Sequence, residues 1–227
     1  MTTKNRSKTS RKAKKSTVAV KRPTAKRRKT RQEMRITIAK DVLAQLDAKK
    51  IVATPGTWVD DSNLGSLSDY VYEETADSDA PIDACEFTEG ITKCRCCALG
   101  SIFISLTKVS RVLLSGSLHA EDVFDHLPSS PLTRYFSVKQ LELIEQAFEG
   151  LEGAYIADGF QNEEDCMTFY YTYPNAKKRL QAIMKNIVKN KGTFVPSKDI
   201  NPRSPASLAA KKALGRYWNG EDTYVYR

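Results

Sequence analysis

Apolar residues recur at helical spacing in three well-separated parts of the chain. The pattern predicts amphipathic helices within residues 36–51, 138–150 and 175–192, each with one apolar face. The third helix has the most regular pattern. The buried faces are predicted to hold Ile38, Val42 and Leu46 in the first helix, Leu141, Ile144 and Phe148 in the second, and Leu180, Ile183, Met184, Ile187 and Val188 in the third.

Residues that favour helix ends flank these segments. Ser137 precedes the second helix, and Gln140 follows at the spacing of a capping box, in which each residue bonds to the backbone of the other. Gly150 is expected to end that helix, because glycine tolerates the backbone conformation found after a last turn. A shorter helix is predicted to begin at Ser204 and to end at Gly215.

The most apolar run of the chain follows three cysteines in the segment CRCCALGSIFI. It predicts a buried helix over about residues 95–114. Before it, IVATPGTWV predicts two short extended pieces about a Pro55-Gly56 turn.

Two further segments carry weaker patterns. Residues 60–92 hold ten acids and no Lys or Arg, and their Ser, Gly and Asp content predicts a loop with one short helix around Tyr70. Another short helix is predicted within residues 117–127. The fold class that results is a helix-rich α+β single domain with five to six helices and few short strands.

Charge divides the chain into two parts. Residues 1–35 carry fifteen Lys or Arg and one acid, Glu33, which gives a net charge of +14, whereas the remainder has a net charge of −5. Residues 1–33 have too few apolar side chains to offset the entropy of ordering, so we expect a disordered basic tail. Residues 34–227 then form the globular domain, which includes the acidic segment 60–92 and a C-terminal extension, residues 197–227.

The basic tail predicts sequence-independent binding of nucleic acid or another polyanion through phosphate neutralisation. No aromatic residue interleaves the basic clusters, so base stacking is not offered. Two alternatives remain open: the tail serves solubility or targeting, or it folds back on the acidic stretches 60–92 and 142–165. The bases of Lys178, Arg179, Lys185 and Lys189 could extend the footprint, or form a solvated face. The predicted nucleic-acid-binding residues are Lys12, Lys14, Lys15, Lys21, Arg22, Lys26, Arg27, Arg28 and Lys29.

The cysteines allow three interpretations. Cys94 and Cys97 form a C-x-x-C pair that could join Cys85 and Cys96 around a structural zinc ion. A redox pair would have Cys94 exposed and Cys97 buried, with a thiol pKa lowered by the start of the helix. The third interpretation, which we favour, is that the thiols are small apolar side chains of the core, so no cofactor is expected.

Motifs of enzyme and membrane classes are not found. The sequence contains no G-x-S-x-G, P-loop or G-x-G-x-x-G segment, so the interpretation leans towards a non-enzymatic protein. The longest apolar stretch is shorter than the ~20 residues that span a bilayer, and no signal peptide is evident. We therefore expect a cytoplasmic protein without a membrane partner.

Four segments together carry a resemblance: residues 36–59, CRCCALGS, SVKQLELIEQAFEG and KRLQAIMKNIVKNKGTFVP. They resemble uncharacterised small proteins of tailed phages and bacteria that share a Cys-x-x-Cys-Ala-Leu-Gly segment, over about residues 35–196. The resemblance implies a phage or bacterial origin, and a host cytoplasm if the protein is phage-encoded. It implies no activity, and the basic tail departs from it.

Three functions follow as hypotheses. The first is a non-enzymatic accessory or interaction protein of phage or bacterial origin, whose tail binds nucleic acid. The second is a metal- or thiol-dependent enzyme or regulator centred on Cys94 and Cys97. The third is an inhibitor or adaptor that presents the acidic segments to a host protein.

Overall fold

The structure is a computed structural model and describes residues 27–61, 65–66, 82–110, 112–114, 130–150 and 163–218. Within these ranges the helix-rich α+β class is confirmed, with two small sheets and seven α-helices, which is more than the five to six expected. The helices are α1 (Arg31–Asp47), α2 (Ala84–Gly90), α3 (Ala98–Val109), α4 (Val138–Glu149), α5 (Glu163–Thr172), α6 (Ala176–Lys189) and α7 (Pro205–Trp218). The strands are β1 (Ile51–Ala53), β2 (Val59–Asp61), β3 (Gly65–Ser66), β4 (Ile82–Asp83), β5 (Cys94–Cys96) and β6 (Leu113–Leu114).

Helix α1 begins at Arg31, ahead of the expected start of order near Met34. The reason is a capping box formed by Thr30 and Glu33, which the charge pattern does not indicate. The Thr30 hydroxyl accepts from the Glu33 amide at 3.2 Å, and the Glu33 carboxylate accepts from the Thr30 amide at 2.7 Å. Two amides that a helix start would otherwise leave unpaired are thereby satisfied. Residues 31–33, which the charge pattern places in the tail, therefore belong to the folded part.

The larger sheet has the strand order β1-β5-β2-β3. The two extended pieces about Pro55-Gly56 are confirmed as β1 and β2, yet they do not pair with each other. Strand β5 lies between them, parallel to β1 and antiparallel to β2, with Cys96 opposite both Ala53 and Val59. Pairing with a parallel strand that is distant in the sequence produces no local sequence pattern, so the position of β5 between β1 and β2 was not predicted.

The cysteine segment corrects the predicted helix over residues 95–114. Cys94–Cys96 is a strand, and the helix that follows is α3, which begins at Ala98 and ends at Val109. The segment is a strand because β5 pairs with β1 on one side and with β2 on the other. On the β1 side, the Cys94 amide donates to Lys50 O at 2.9 Å and Cys96 O accepts from the Thr54 amide at 3.0 Å. Such pairing satisfies buried backbone groups that a helix start would leave open.

Helix α3 forms the centre of the core. Every residue from Ala98 to Thr107 is buried, so the helix is enclosed on all sides. It packs against α1, α2 and α4. A helix that is apolar all round requires such a position. Among the described helices, none combines the length and the apolar character that crossing a bilayer needs.

Gly100 marks the closest approach in this core. A Cβ atom added at Gly100 would overlap the backbone carbonyl oxygen of Trp58, which precedes β2. Because a backbone oxygen cannot rotate away as a side chain can, only glycine fits here without moving the sheet. The Ala-Leu-Gly sequence after Cys97 therefore lets α3 lie directly on the β1–β2 connection.

Helices α1 and α6 pack antiparallel to each other. At one end, Gly192 lies against Gln32 O and the Arg35 side chain, and at the other the Gln181 side chain donates to Asp47 at 3.3 Å. Both helices end with a lysine of positive φ, Lys49 and Lys191, followed by an amide that bonds back to the last turn. The pair thus brings the start of α1 beside the end of α6.

The other predicted ends are partly confirmed. Ser137 caps α4 and Gly150 follows its last turn with φ 77°, as expected. The Gln140 side chain does not complete a capping box, because it bonds the Phe194 backbone at 2.7 and 3.2 Å. Helix α7 continues through Gly215, and its apolar face packs on α5, which the apolar pattern did not predict.

Several predicted features lie outside the described residues. These are the short helix around Tyr70, the short helix within residues 117–127, and the basic residues from Lys12 to Lys26. Of the acidic segment 60–92, the described parts form β2, β3, β4 and α2.

We expect Gly100→Ala and Gly215→Ala to change stability in opposite directions. Gly100→Ala should lower the free energy of unfolding by about 1–3 kcal/mol, because its methyl group meets the Trp58 carbonyl. Gly215→Ala should raise it by roughly 0.5–1 kcal/mol, because that position is helical and open around its Cβ. Urea denaturation of both variants measures the difference. Equal effects of the two substitutions would contradict the close approach at Gly100.

Candidate functional site

Two of the cysteines form a buried pair within strand β5. Cys94 and Cys96 are separated by one residue, so they share a face of the strand, and both are buried. A hydrogen bond from the Cys96 thiol lowers the pKa of Cys94, and the same bond raises the pKa of Cys96. Cys94 is thus enclosed, which corrects its expected exposure as the outer member of a redox pair.

Cys97 is the N-cap of α3. Its sulfur accepts from the Gly100 amide at 3.4 Å, which satisfies one free amide at the helix start. The helix start was expected to lower the thiol pKa. Burial raises the pKa of Cys97 instead, and the charge of Glu149 acts in the same direction. A buried thiol of raised pKa is a poor nucleophile.

The remaining cysteines pack against backbone carbonyls elsewhere. The Cys85 thiol donates to Thr107 O at 3.1 Å, and the Cys166 thiol donates to Leu143 O at 3.6 Å. Within the part of the chain that the structure describes, no three His, Cys, Asp or Glu side chains are grouped so that they could hold a metal ion. All five thiols are free, and four of them are buried, which confirms the expectation that these cysteines belong to the core.

A buried carboxyl group closes the turn between β1 and β2. Glu149, the last residue of α4, is 8% exposed, and its Oε2 accepts from the Gly56 amide at 2.8 Å. Burial raises the pKa of Glu149 to about 7, although the Gly56 amide and the Arg179 guanidinium both act to lower it. This carboxyl was not among the predicted site residues. Its signal was weak, since a glutamate at a helix end is usually solvated.

Arg179 is buried beside this carboxyl rather than exposed. Its guanidinium lies 4.1 Å from the centre of the Tyr170 ring and donates to Tyr173 O at 3.0 Å and to Pro174 O at 3.3 Å. With 2% of its surface exposed, it cannot contribute to a basic outer face. Arginine suits this position because its planar group stacks on a ring while its edge donates to carbonyls.

Three of the predicted nucleic-acid-binding residues lie within the described ranges, directly before α1. Arg27, Arg28 and Lys29 are all exposed. Arg27 pairs with Glu33 at 3.0 Å, and Lys29 donates to the Thr37 hydroxyl at 3.1 Å. These contacts hold the chain along the first two turns of α1, where a groove of about 320 Å³ lies between the two basic side chains and the helix. Arg28 makes no ion pair with any residue in the described ranges.

We expect Glu149→Gln to remove a dependence of stability on pH. The folded pKa of about 7 exceeds the ordinary value of 4.5, so the folded state binds the proton more tightly than the unfolded state. Stability is then highest below pH 4.5 and falls as the pH rises through 7, by about 3 kcal/mol in total. The neutral variant should lose this fall while its amide oxygen still accepts from Gly56.

Urea denaturation at pH 5 and pH 8 tests the expectation. Glu89→Gln, an exposed carboxyl on α2, is the matched control and should leave the wild-type difference in place. A Glu149→Gln variant that loses as much stability as the wild type between the two pH values would refute the burial of a protonated carboxyl.

Comparison with known proteins adds no further assignment. No protein-family model, no curated protein and no solved structure matches this chain. The functional conclusion therefore depends on the charges and contacts of the residues themselves.

Proposed function

We propose that the protein is a non-enzymatic accessory protein of phage or bacterial origin that binds nucleic acid without sequence specificity. The observation that carries the proposal is the segregation of charge, with a net +14 on residues 1–35. Arg27, Arg28 and Lys29 belong to that segment, lie directly before α1, and are all exposed. The basic segment is thus joined to a folded body rather than isolated from it.

The physical basis of binding is neutralisation of phosphate groups. Each Lys or Arg that contacts a phosphate releases condensed counterions, so the logarithm of the affinity falls linearly with the logarithm of the salt concentration. On duplex DNA each contact adds about 0.9 to the magnitude of that slope. Because the basic clusters contain no aromatic side chain, they contact the backbone and do not stack on bases. The proposal requires no cofactor.

The alternatives have less support among the described contacts. A zinc ion at Cys85, Cys94, Cys96 and Cys97 would have to separate Cys85 from Thr107 O, which it contacts at 3.1 Å. A thiol mechanism would have to use sulfurs that are buried at Cys94 and Cys97. The hypothesis of an acidic adaptor depends on segments 60–92 and 142–165, much of which lies outside the described residues.

We expect neutralisation of the tail to reduce the salt dependence of binding. The test uses the full chain with Lys12, Lys14, Lys15, Lys21, Arg22 and Lys26 replaced by Gln. If each base contacts a phosphate, the slope of log affinity against log salt concentration should decrease in magnitude by about 5. Fluorescence anisotropy with a labelled duplex at several salt concentrations measures the slope.

The matched control replaces the five lysines of that set by Arg, which keeps the charge and should keep the binding. Two duplexes of unrelated sequence should bind the wild type with the same affinity. The proposal fails if the wild type does not bind either duplex, or if the Gln variant binds with the wild-type slope.

A further inference from the structure

We infer that the paired helices α1 and α6 provide a second, folded half of the phosphate-binding surface. This inference rests on the proposed function and assigns residues to it beyond the tail. The surface, called here the basic end, consists of the exposed bases at the start of α1 and at the end of α6. They are Arg27, Arg28, Lys29, Arg31, Lys185, Lys189 and Lys191.

The antiparallel packing brings these two groups of bases together. Gly192 directly follows Lys191 and lies against Gln32 O and the Arg35 side chain, so the end of α6 contacts the first turn of α1. Lys189 is the last residue of α6, and Lys185 lies about one turn before it. The two lysines share a face of the helix because they are four residues apart. The packing thus sets the end of α6, and Lys191 with it, beside the residues that lead into α1.

The α1–α6 pair is strongly basic, unlike the rest of the folded part. Residues 27–50 and 176–192 contain fourteen Lys or Arg and three acids. Glu33 pairs with Arg27, whereas Asp41 and Asp47 lie in the second half of α1. Asp47 contacts Gln181 near the start of α6, so it lies at the opposite end of the helix pair from Lys189 and Lys191.

Of the seven bases of the basic end, two form ion pairs, Lys29 donates to the Thr37 hydroxyl, and four do neither. Arg27 pairs with Glu33, and Lys189 pairs with Asp199 at 2.7 Å. Arg28, Arg31, Lys185 and Lys191 are exposed and form no salt bridge with any residue in the described ranges. Like charges held close together repel, and a polyanion that contacts them relieves the repulsion.

The partner that fits this surface is a nucleic-acid backbone rather than an apolar protein surface. The large hydrophobic side chains that are exposed among the described residues, Val52 and Leu208, lie on β1 and α7 and not on the basic end. The surface therefore offers charge and hydrogen-bond donors, which match the evenly spaced phosphates of a duplex.

The test is Lys185→Gln with Lys191→Gln in the full chain. Both side chains are exposed, so the thermal transition should stay at its wild-type temperature. Affinity for a labelled duplex should fall by roughly 3- to 10-fold at low salt, and the salt slope should decrease in magnitude by about 1–2. Lys185→Arg with Lys191→Arg should restore both quantities.

The control is Lys211→Gln with Lys212→Gln, which removes two exposed positive charges from α7, of which Lys211 is paired with Glu164 at 3.4 Å. Helix α7 packs on α5, away from the α1–α6 pair, so this variant should bind as the wild type does. If the two Gln variants lose affinity equally, only net charge matters and the inference is overturned. A wild-type slope for Lys185→Gln with Lys191→Gln also overturns it.

Failure of the inference is distinguishable from failure of the proposed function. If the wild type does not bind the duplex, the proposed function fails, whereas binding by the wild type that is insensitive to Lys185 and Lys191 removes only the basic end. A poly-glutamate peptide serves as competitor. Displacement of the duplex by this peptide at equal concentration of charge would assign the surface to acidic proteins and overturn the inference.

Discussion

Helix α3 has to be enclosed, and the arrangement of the other elements follows from that requirement. Its residues from Ala98 to Thr107 have no solvated face, so α1, α2 and α4 must all cover it. The sheet covers its start, because Gly100 has no side chain and the Trp58 carbonyl lies in the space a Cβ would take. The cysteines before α3 belong to the same arrangement: Cys94 and Cys96 form the central strand, and Cys97 caps the helix.

Two amide side chains, the buried Asn186 and the half-buried Gln140, then fix the loop that follows α6. Asn186 bonds both the amide and the carbonyl of Val195 at 2.8 Å, and its side chain also donates to Asp199 at 2.7 Å. Gln140 of α4 bonds both the amide and the carbonyl of the preceding residue, Phe194. Such groups are costly to bury unless every donor and acceptor is paired. Because both side chains are paired, the end of α6 has one defined position beside α1.

The sequence predicts well those helices whose own residues carry a clear pattern. The helices α1, α4 and α6 carry apolar residues at helical spacing, and their ends have Ser137, Gly150 and Gly192 as local signals. Strand β5 was not predictable in the same way, because its partners β1 and β2 lie more than thirty residues away in the sequence. Helix α5 was missed for a related reason: its apolar face has meaning only against α4 and α7. The short acidic start of α5 also resembles a loop.

The candidate site, too, is only partly predictable from the sequence. The sequence locates the positive charge but does not tell which bases remain in solvent, since burial is a tertiary property. Arg179 and Lys178 are neighbours in a basic helix, yet Arg179 stacks on Tyr170 within the core and Lys178 is exposed. An enclosed guanidinium cannot reach a phosphate without leaving its ring and the carbonyls that it bonds. Counting bases along α6 thus overstates its outer charge.

The sequence also understates the positive charge at one place, where the end of α6 contacts α1. Lys191 follows the last turn of α6 in the sequence, and only the closeness of Gly192 to Gln32 and Arg35 places it next to the basic segment that leads into α1. Its positive φ of 54° gives no reason for lysine in preference to glycine, because glycine adopts that conformation at less cost. Lys49 has the same backbone conformation after α1, so this φ by itself assigns no role to the side chain. The proposed contact of the Lys191 ammonium group with a phosphate depends instead on the packing of the two helices, which sets this lysine beside the residues that lead into α1.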